Sequence, residues 1–398
     1  MTASAELHGA DSRTDPANGA PAWRVAVAGI SEPGPCGVRD HGRLLADQLE
    51  REGIGCSRHW LERGSSSLRG ALAEGRAWSS SLPREVRDAG ADAIVVHYSC
   101  FASAYRGMPV LAPSLAGALR RSGVPVIAIM HELFYPFGRD GVRGALWAGS
   151  QRLALLELVR VVDAAVATTE ERRDWLSHAW WLPRRPAAFA PVFSNLPEPS
   201  AGVRTAAAGS AEGRPAIGMF GYHYDGSGEF VLRALQLLSE QGSAPELRLI
   251  GSPGPDSRAG RTWAARAREL GVEGHLTFTG LLEPQALTDA LASVELLLFA
   301  DPPGPTSRKG TLAGSLASGT PVLALDGPAT WPDLRRERAL EIVPRDAAAL
   351  AAGITAMLGD PAARAELGAR GRAFSQGAMG VGRTATALRG LLATLIAR

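Results

Sequence analysis

Short apolar runs alternate with longer stretches of helical spacing along this chain. The first runs are Arg24–Ile30 (RVAVAGI), Asp92–Tyr98 (DAIVVHY), Val124–Met130 (VPVIAIM) and Val162–Thr168 (VDAAVAT). A second set comprises Pro215–Gly221 (PAIGMFG), Glu246–Ile250 (ELRLI), His275–Thr279 (HLTFT), Val294–Phe299 (VELLLF), Thr320–Leu325 (TPVLAL) and Leu340–Val343. Near-continuous apolar runs of this length predict strands covered on both faces. Between them apolar positions recur at helical spacing: Val38, Leu44, Leu45 and Leu49 after Gly37, and Phe230, Val231, Ala234, Leu235 and Leu238 after Glu229. Strands alternating with helices predict parallel, doubly wound α/β sheets.

Residues 197–214, PEPSAGVRTAAAGSAEGR, hold almost no large apolar side chain and read as a linker. It divides the strands into two sets of comparable size. The expectation is two Rossmann-like α/β domains, 23–196 and 215–375, facing each other across a cleft. Residues 376–398 carry Leu388, Leu391, Leu392 and Leu395 at amphipathic spacing. This last helix is expected to cross back to the first domain. Residues 1–22 are polar and read as a disordered tail, not as a signal peptide. In open parallel sheets ligands sit beyond the carboxyl ends of the strands, so the loops after the strands are where chemistry is expected.

Composition narrows the classes. The 398 residues hold 42 Lys and Arg against 40 Asp and Glu, a formal charge of +2. That excludes nucleic acid as the main partner. The 3 cysteines, Cys36, Cys56 and Cys100, have no CxxC spacing. Neither a disulfide framework nor a cysteine zinc site is expected, and a cytoplasmic location fits. No apolar run approaches the ~20 residues of a membrane span. Trp180 and Trp181, ahead of Pro183-Arg184-Arg185, read either as a packed pair or as a peripheral membrane contact.

Five loops after strands are candidate sites. Ser31–Gly37 (SEPGPCG) has glycines that let backbone approach a ligand, ahead of a helix whose N-terminus suits an anion; GxGxxG is absent. Met130–Pro136 (MHELFYP) places His131 and Glu132 at a strand end with Phe134 and Tyr135 beside them. The alternative is a structural histidine; His97–Tyr98 is a similar, weaker case. Asp301–Thr311 (DPPGPTSRKGT) joins two hydroxyls, Thr306 and Ser307, to the cations Arg308 and Lys309 at a helix start. Backbone N–H groups with those cations suit a diphosphate; the alternative is a solvated basic turn. Gly304–Thr311 only imitates a phosphate-binding P-loop, because Lys309 precedes Gly310 where that motif needs the glycine first. Gly218–Gly228, with Tyr222, His223 and Tyr224, and Gly251–Pro255 complete the set. DxD, HExxH and GxSxG are absent. No metal and no cofactor is expected, which leaves metal-free chemistry on a phosphorylated ligand.

Against this background the chain resembles a two-domain glycosyltransferase of the GT-B fold, in the retaining family 4 group. Cys36-Gly37-Val38-Arg39-Asp40-His41 resembles the Gly-Gly-Val start of that family's first helix, with Cys36 in place of the first glycine. His131 in MHEL resembles its histidine near the donor sugar, and Leu312–Val322 (LAGSLASGTPV) its LEAMASGTPVV segment. Phe278-Thr279-Gly280 resembles the FxG element whose loop flanks the nucleobase. The family's paired glutamates fall here on Thr306 and Gly314, and its Arg and Lys after the first strand of the second domain are missing, with Tyr222 and Ser227 near those places.

The resemblance implies transfer of a sugar from a nucleotide-diphosphate sugar to a glycan, lipid or small-molecule acceptor, with retention. It gives His131 the catalytic role and Gly37 a place at the diphosphate; the reading of the 301–311 loop adds Ser307, Arg308, Lys309 and Gly310 there, and we infer that the two cations replace the missing Arg and Lys. The loops and the resemblance together give the donor sugar and nucleoside Glu132, Tyr222, Gly251, Gly280, Leu281, Thr306, Thr311 and Ser315. The first domain would take the acceptor near Asp40, His41, Tyr98 and Phe134. A sugar-nucleotide epimerase, with Glu132 and Asp301 as its carboxylates, or a non-catalytic sugar-nucleotide binding protein remain as alternatives. An NAD(P) enzyme is disfavoured by the absent glycine fingerprint.

Overall fold

The computed structural model describes residues 23–396, except 33, 35, 204–212, 223, 225, 226 and 252. The expected tail, half of the expected linker and His223 lie outside the described residues. The chain forms two compact units: one holds the residues up to Ala167, Arg173–Ala188 and those from Ala385 onward, the other Thr168–Arg172 and Phe189–Thr384.

The first unit is built on β1 (Trp23–Ser31), β2 (Ile54–Glu62), β3 (Ala93–Ser99), β4 (Val126–Glu132), β5 (Ala164–Ala167) and β6 (Ala187–Phe189), in the order β2-β1-β3-β4-β5-β6. Its β1–β2, β1–β3, β3–β4 and β4–β5 pairs are parallel. Helices α1 (Gly37–Arg51), α2 (Leu68–Asp88), α3 (Ala112–Ser122), α4 (Gly141–Val159) and α5 (Glu170–His178) fall between them in the chain. All seven residues of β3 are buried. Alternate side chains Ala26, Ala28, Ile30, Ile94 and Val96 join Leu82 and Val86 of α2 and Leu115 and Leu119 of α3 in one core, as the two-residue period of a strand requires. Tyr98 belongs to the same core at 1% exposure. It is therefore corrected from an acceptor contact to a core residue, and burial pushes its hydroxyl pKa upward.

The second unit is built on β7 (Ala216–Phe220), β8 (Glu246–Ile250), β9 (Leu276–Gly280), β10 (Leu296–Phe299), β11 (Val322–Leu325) and β12 (Glu341–Val343), ordered β12-β11-β10-β7-β8-β9. Every pair in it is parallel. Helices α6 (Ser227–Glu240), α7 (Arg258–Glu269), α8 (Pro284–Ala292), α9 (Gly310–Ala317), α10 (Pro332–Arg336), α11 (Ala347–Gly359) and α12 (Pro361–Gln376) accompany it. One face packs Ile217, Leu247 and Leu298 against α6, α7 and α11; the other packs Ile250, Leu297 and Phe299 against Leu312 and Leu316 of α9. Phe189 and Leu196 pack with this second face. The change of unit thus falls ahead of the Pro- and Ala-rich stretch that marked it in the sequence.

The last helix, α13 (Val381–Ile396), starts in the second unit and from Ala385 belongs to the first, so the chain does cross back. Leu388 and Leu392 are fully buried, and Arg389 reaches Glu52 at 3.4 Å.

Candidate active site

The strand order of the second unit reverses between β7 and β10. Neighbouring strands there send their connections to opposite faces, which opens a crevice beyond their carboxyl ends. It is lined by Phe220, Gly221, Ala300, Asp301 and Thr311 among others. Gly221 has φ 62°, and a Cβ on it would stand 2.7 Å from Thr311 Cγ2. The ends of β8 and β9 carry positive φ as well, at Gly251 (83°) and Gly280 (69°). Three adjacent strand ends thus turn through glycine, which leaves no Cβ at those three positions. A Gly221→Ala substitution is expected to destabilise the protein by about 1–3 kcal/mol through backbone strain and to weaken nucleotide binding. Unfolding midpoints and titration calorimetry check both, and an unchanged affinity would remove the close-approach reading.

The turn after β10 is braced, not solvated. Ala329 and Trp331 donate backbone N–H groups to Pro303 and Pro305 carbonyls, each at 2.8 Å. Thr306 and Ser307 are 3% and 2% exposed. Ser307 Oγ donates to the Thr168 carbonyl at 2.7 Å, and its own carbonyl accepts from Val192 N–H at 2.8 Å. Ser307 is therefore corrected from a diphosphate ligand to a strut. Lys309 occupies the N-cap of α9, where no side chain caps the first turn, and Gly310 is exposed with open space around its Cα. First-turn N–H groups in that state favour an anion. Lys309 Nζ pairs with Asp301 at 2.5 Å, so the cation is held at the crevice wall. Arg308 beside it is half-buried.

Other expected donor contacts divide. Thr311 lines the crevice, half-buried. Ser315, one turn further along α9, is 3% exposed, so of the two expected donor contacts on this helix Thr311 is the accessible one. Gly251 N–H donates to Thr279 Oγ1 at 2.9 Å, and Leu281 is 70% exposed. Tyr222 is a correction. It is fully buried, edge-on to Trp263 and Phe278, with its hydroxyl pKa pushed up to about 12 by burial.

In the first unit the structure brings together three histidines from separate elements. His97 Nδ1 and His131 Nε2 are 3.0 Å apart across the β3–β4 pair, and the two rings stack with centroids 5.3 Å apart. His41 stands edge-on to both, with ring centroids 4.8 Å from His131 and 5.4 Å from His97. His41 and His97 are buried and His131 is half-buried. Burial first, then the neighbouring imidazoles, hold the pKa of His41 and that of His97 well below the usual histidine range. Trp60 of β2, not foreseen from the sequence, lies 5.6 Å from His97; Gly29 and Gly42 make room for its ring, since a Cβ at either would come within 2.4 Å of it.

His41 is thus corrected from an acceptor contact to part of the wall around His131. Its burial was legible: residues 41, 45 and 49 share one helix face, and all three are buried. Asp40 and Glu132 stay half-buried, and Gly37 is exposed at the start of α1. Phe134 packs on the core, 5.2 Å from Trp175 with the Arg152 guanidinium 3.8 Å above its ring. Trp181 packs on Trp175 at 5.8 Å, whereas Trp180 is 93% exposed.

Residues 214–360 match the sequence profile of glycosyl transferases group 1. No match was found among curated protein sequences. Among solved structures the chain is similar to sucrose-phosphate synthase from Thermosynechococcus elongatus, with TM-score 0.68 and 16% identity over 94% of this chain and 99% of that one. It is similar also to HepE from Anabaena, solved with UDP-glucose, with TM-score 0.64 and 14% identity over 94% and 100%. A third is WaaG, a glycosyltransferase involved in lipopolysaccharide biosynthesis, with TM-score 0.61 and 15% identity over 93% and 99%. The fold is that of the GT-B glycosyltransferases. Within that fold, residues 214–360 of the second unit are the part that is similar to group 1 glycosyl transferases.

Proposed function

We propose that the protein transfers a sugar from a nucleotide-diphosphate sugar to an acceptor, with retention and with no metal ion taking part in the transfer. The crevice at the strand reversal carries this reading, because it joins a glycine rim to an uncapped helix N-terminus and a fixed cation. The diphosphate lies against the Gly310 and Thr311 N–H groups, with Arg308 and Lys309 offsetting its charge. That charge grows as the glycosidic bond breaks, so these groups stabilise the transition state more than the ground state. His131 keeps the role its resemblance implies, orienting the donor sugar. The leaving phosphate then accepts the acceptor's proton, which suits retention without a covalent enzyme nucleophile.

The epimerase alternative loses ground, because Asp301 is paired with Lys309 and is no free base. Exposed Val142, Leu146 and Leu153 on α4, at 80%, 63% and 66%, favour an acceptor presented at a lipid surface. The free thiols Cys36, Cys56 and Cys100 suit the cytoplasm, where we place the enzyme. A thermal-shift panel of UDP-, GDP-, ADP- and dTDP-sugars is expected to give one base that raises the midpoint, because a ligand that binds only the folded state stabilises it. No shift with any of them would remove the nucleotide-sugar reading.

A further inference from the structure

We propose that His41, His97 and His131 form a binding site for a zinc-type divalent transition-metal ion. One ligating nitrogen from each ring lies within 4.8 Å of the others. A tetrahedral ion about 2.0–2.1 Å from each nitrogen needs them roughly 3.3 Å apart. The His97–His131 pair already stands at 3.0 Å, and the His41 nitrogen has up to about 1.5 Å to close from the 4.8 Å limit of the cluster to complete the set. The rings come from α1, β3 and β4, elements rigid enough to hold them in place.

The donor set names the class of ion. Three imidazoles with no carboxylate among them suit zinc, copper or nickel, and not magnesium or calcium, which take oxygen ligands. Each ring coordinates as neutral imidazole, its remaining proton on the other nitrogen, so binding needs a shift of tautomer between His97 and His131 and no co-reactant. The burial of His41 and His97 shields the site from solvent on their side. Half-buried His131 gives the ion and a water in the fourth position a way in. The ion would occupy a nitrogen of His131, so the loaded form is expected to transfer sugar more slowly. That consequence alone rests on the transfer reading; the site does not.

The test uses the untagged full-length protein, freed of metal by chelator dialysis and titrated with Co(II) without any nucleotide sugar. One equivalent is expected to produce a visible ligand-field band of tetrahedral type, abolished by one equivalent of Zn(II). His131→Gln and His97→Gln, each checked for folding by circular dichroism, should weaken Co(II) binding about a hundredfold, the upper range even for residues that only support ligands. His178→Gln, at the surface, should leave the band unchanged. Absence of the band in wild type, or equal Co(II) affinity in wild type and His131→Gln, would overturn the proposal. Neither result bears on the nucleotide-sugar panel, which reads a different ligand.

Discussion

Replacing Arg308 and Lys309 together by alanine is expected to lower kcat/KM for the nucleotide sugar about a hundredfold or more, the scale of a lost oxyanion donor. Two effects add. The diphosphate loses two positive charges where its own charge is growing. Asp301, now without the ammonium that stands 2.5 Å away, becomes an uncompensated anion in the crevice wall and repels the phosphates. The second effect separates electrostatics from misfolding. Adding Asp301→Asn to Lys309→Ala removes the repulsion and should restore part of the nucleotide affinity, whereas a merely distorted turn would gain nothing. Steady-state kinetics and calorimetry on folded variants decide, and unchanged kinetics in the double variant would withdraw the diphosphate assignment.

His131→Ala is expected to lower kcat about a hundredfold while the affinity for the free nucleoside diphosphate changes less than about threefold. A group that acts on the sugar in the transition state lowers kcat without touching the binding of the leaving nucleotide. Stability should fall too, by about 1–3 kcal/mol, because His97 loses the partner now 3.0 Å away and keeps a buried ring nitrogen. Equal losses in turnover and nucleotide affinity would mark His131 as structural only.

The strands that stood out in the sequence are those covered on both faces. In β3 every residue is buried, and the pattern DAIVVHY leaves no other reading. β2 escaped because it is an edge strand: only Ile54 and Leu61 are buried, and Ser57, Arg58 and His59 break the apolar run. The loops after strands were legible as candidate sites because topology alone favours ligands there. Which way a side chain turns at a strand end was not. Tyr98 and Tyr222 stand at such ends, as His131 does, yet both tyrosines fold into cores. Spacing does not distinguish an aromatic that walls a ligand from one that packs inward. The histidine cluster was hidden for a related reason: its members are far apart in the chain, and only the β3–β4 register and the packing of α1 bring them together.

The crevice between the β7 and β10 ends carries the account, and a crystal structure of the full chain with the nucleoside diphosphate selected by the sugar panel tests it most directly. The pyrophosphate is expected within hydrogen-bond distance of the Gly310 and Thr311 N–H groups, with Arg308 or Lys309 against its oxygens. A well-ordered nucleotide bound elsewhere, with that helix N-terminus facing only water, would contradict it.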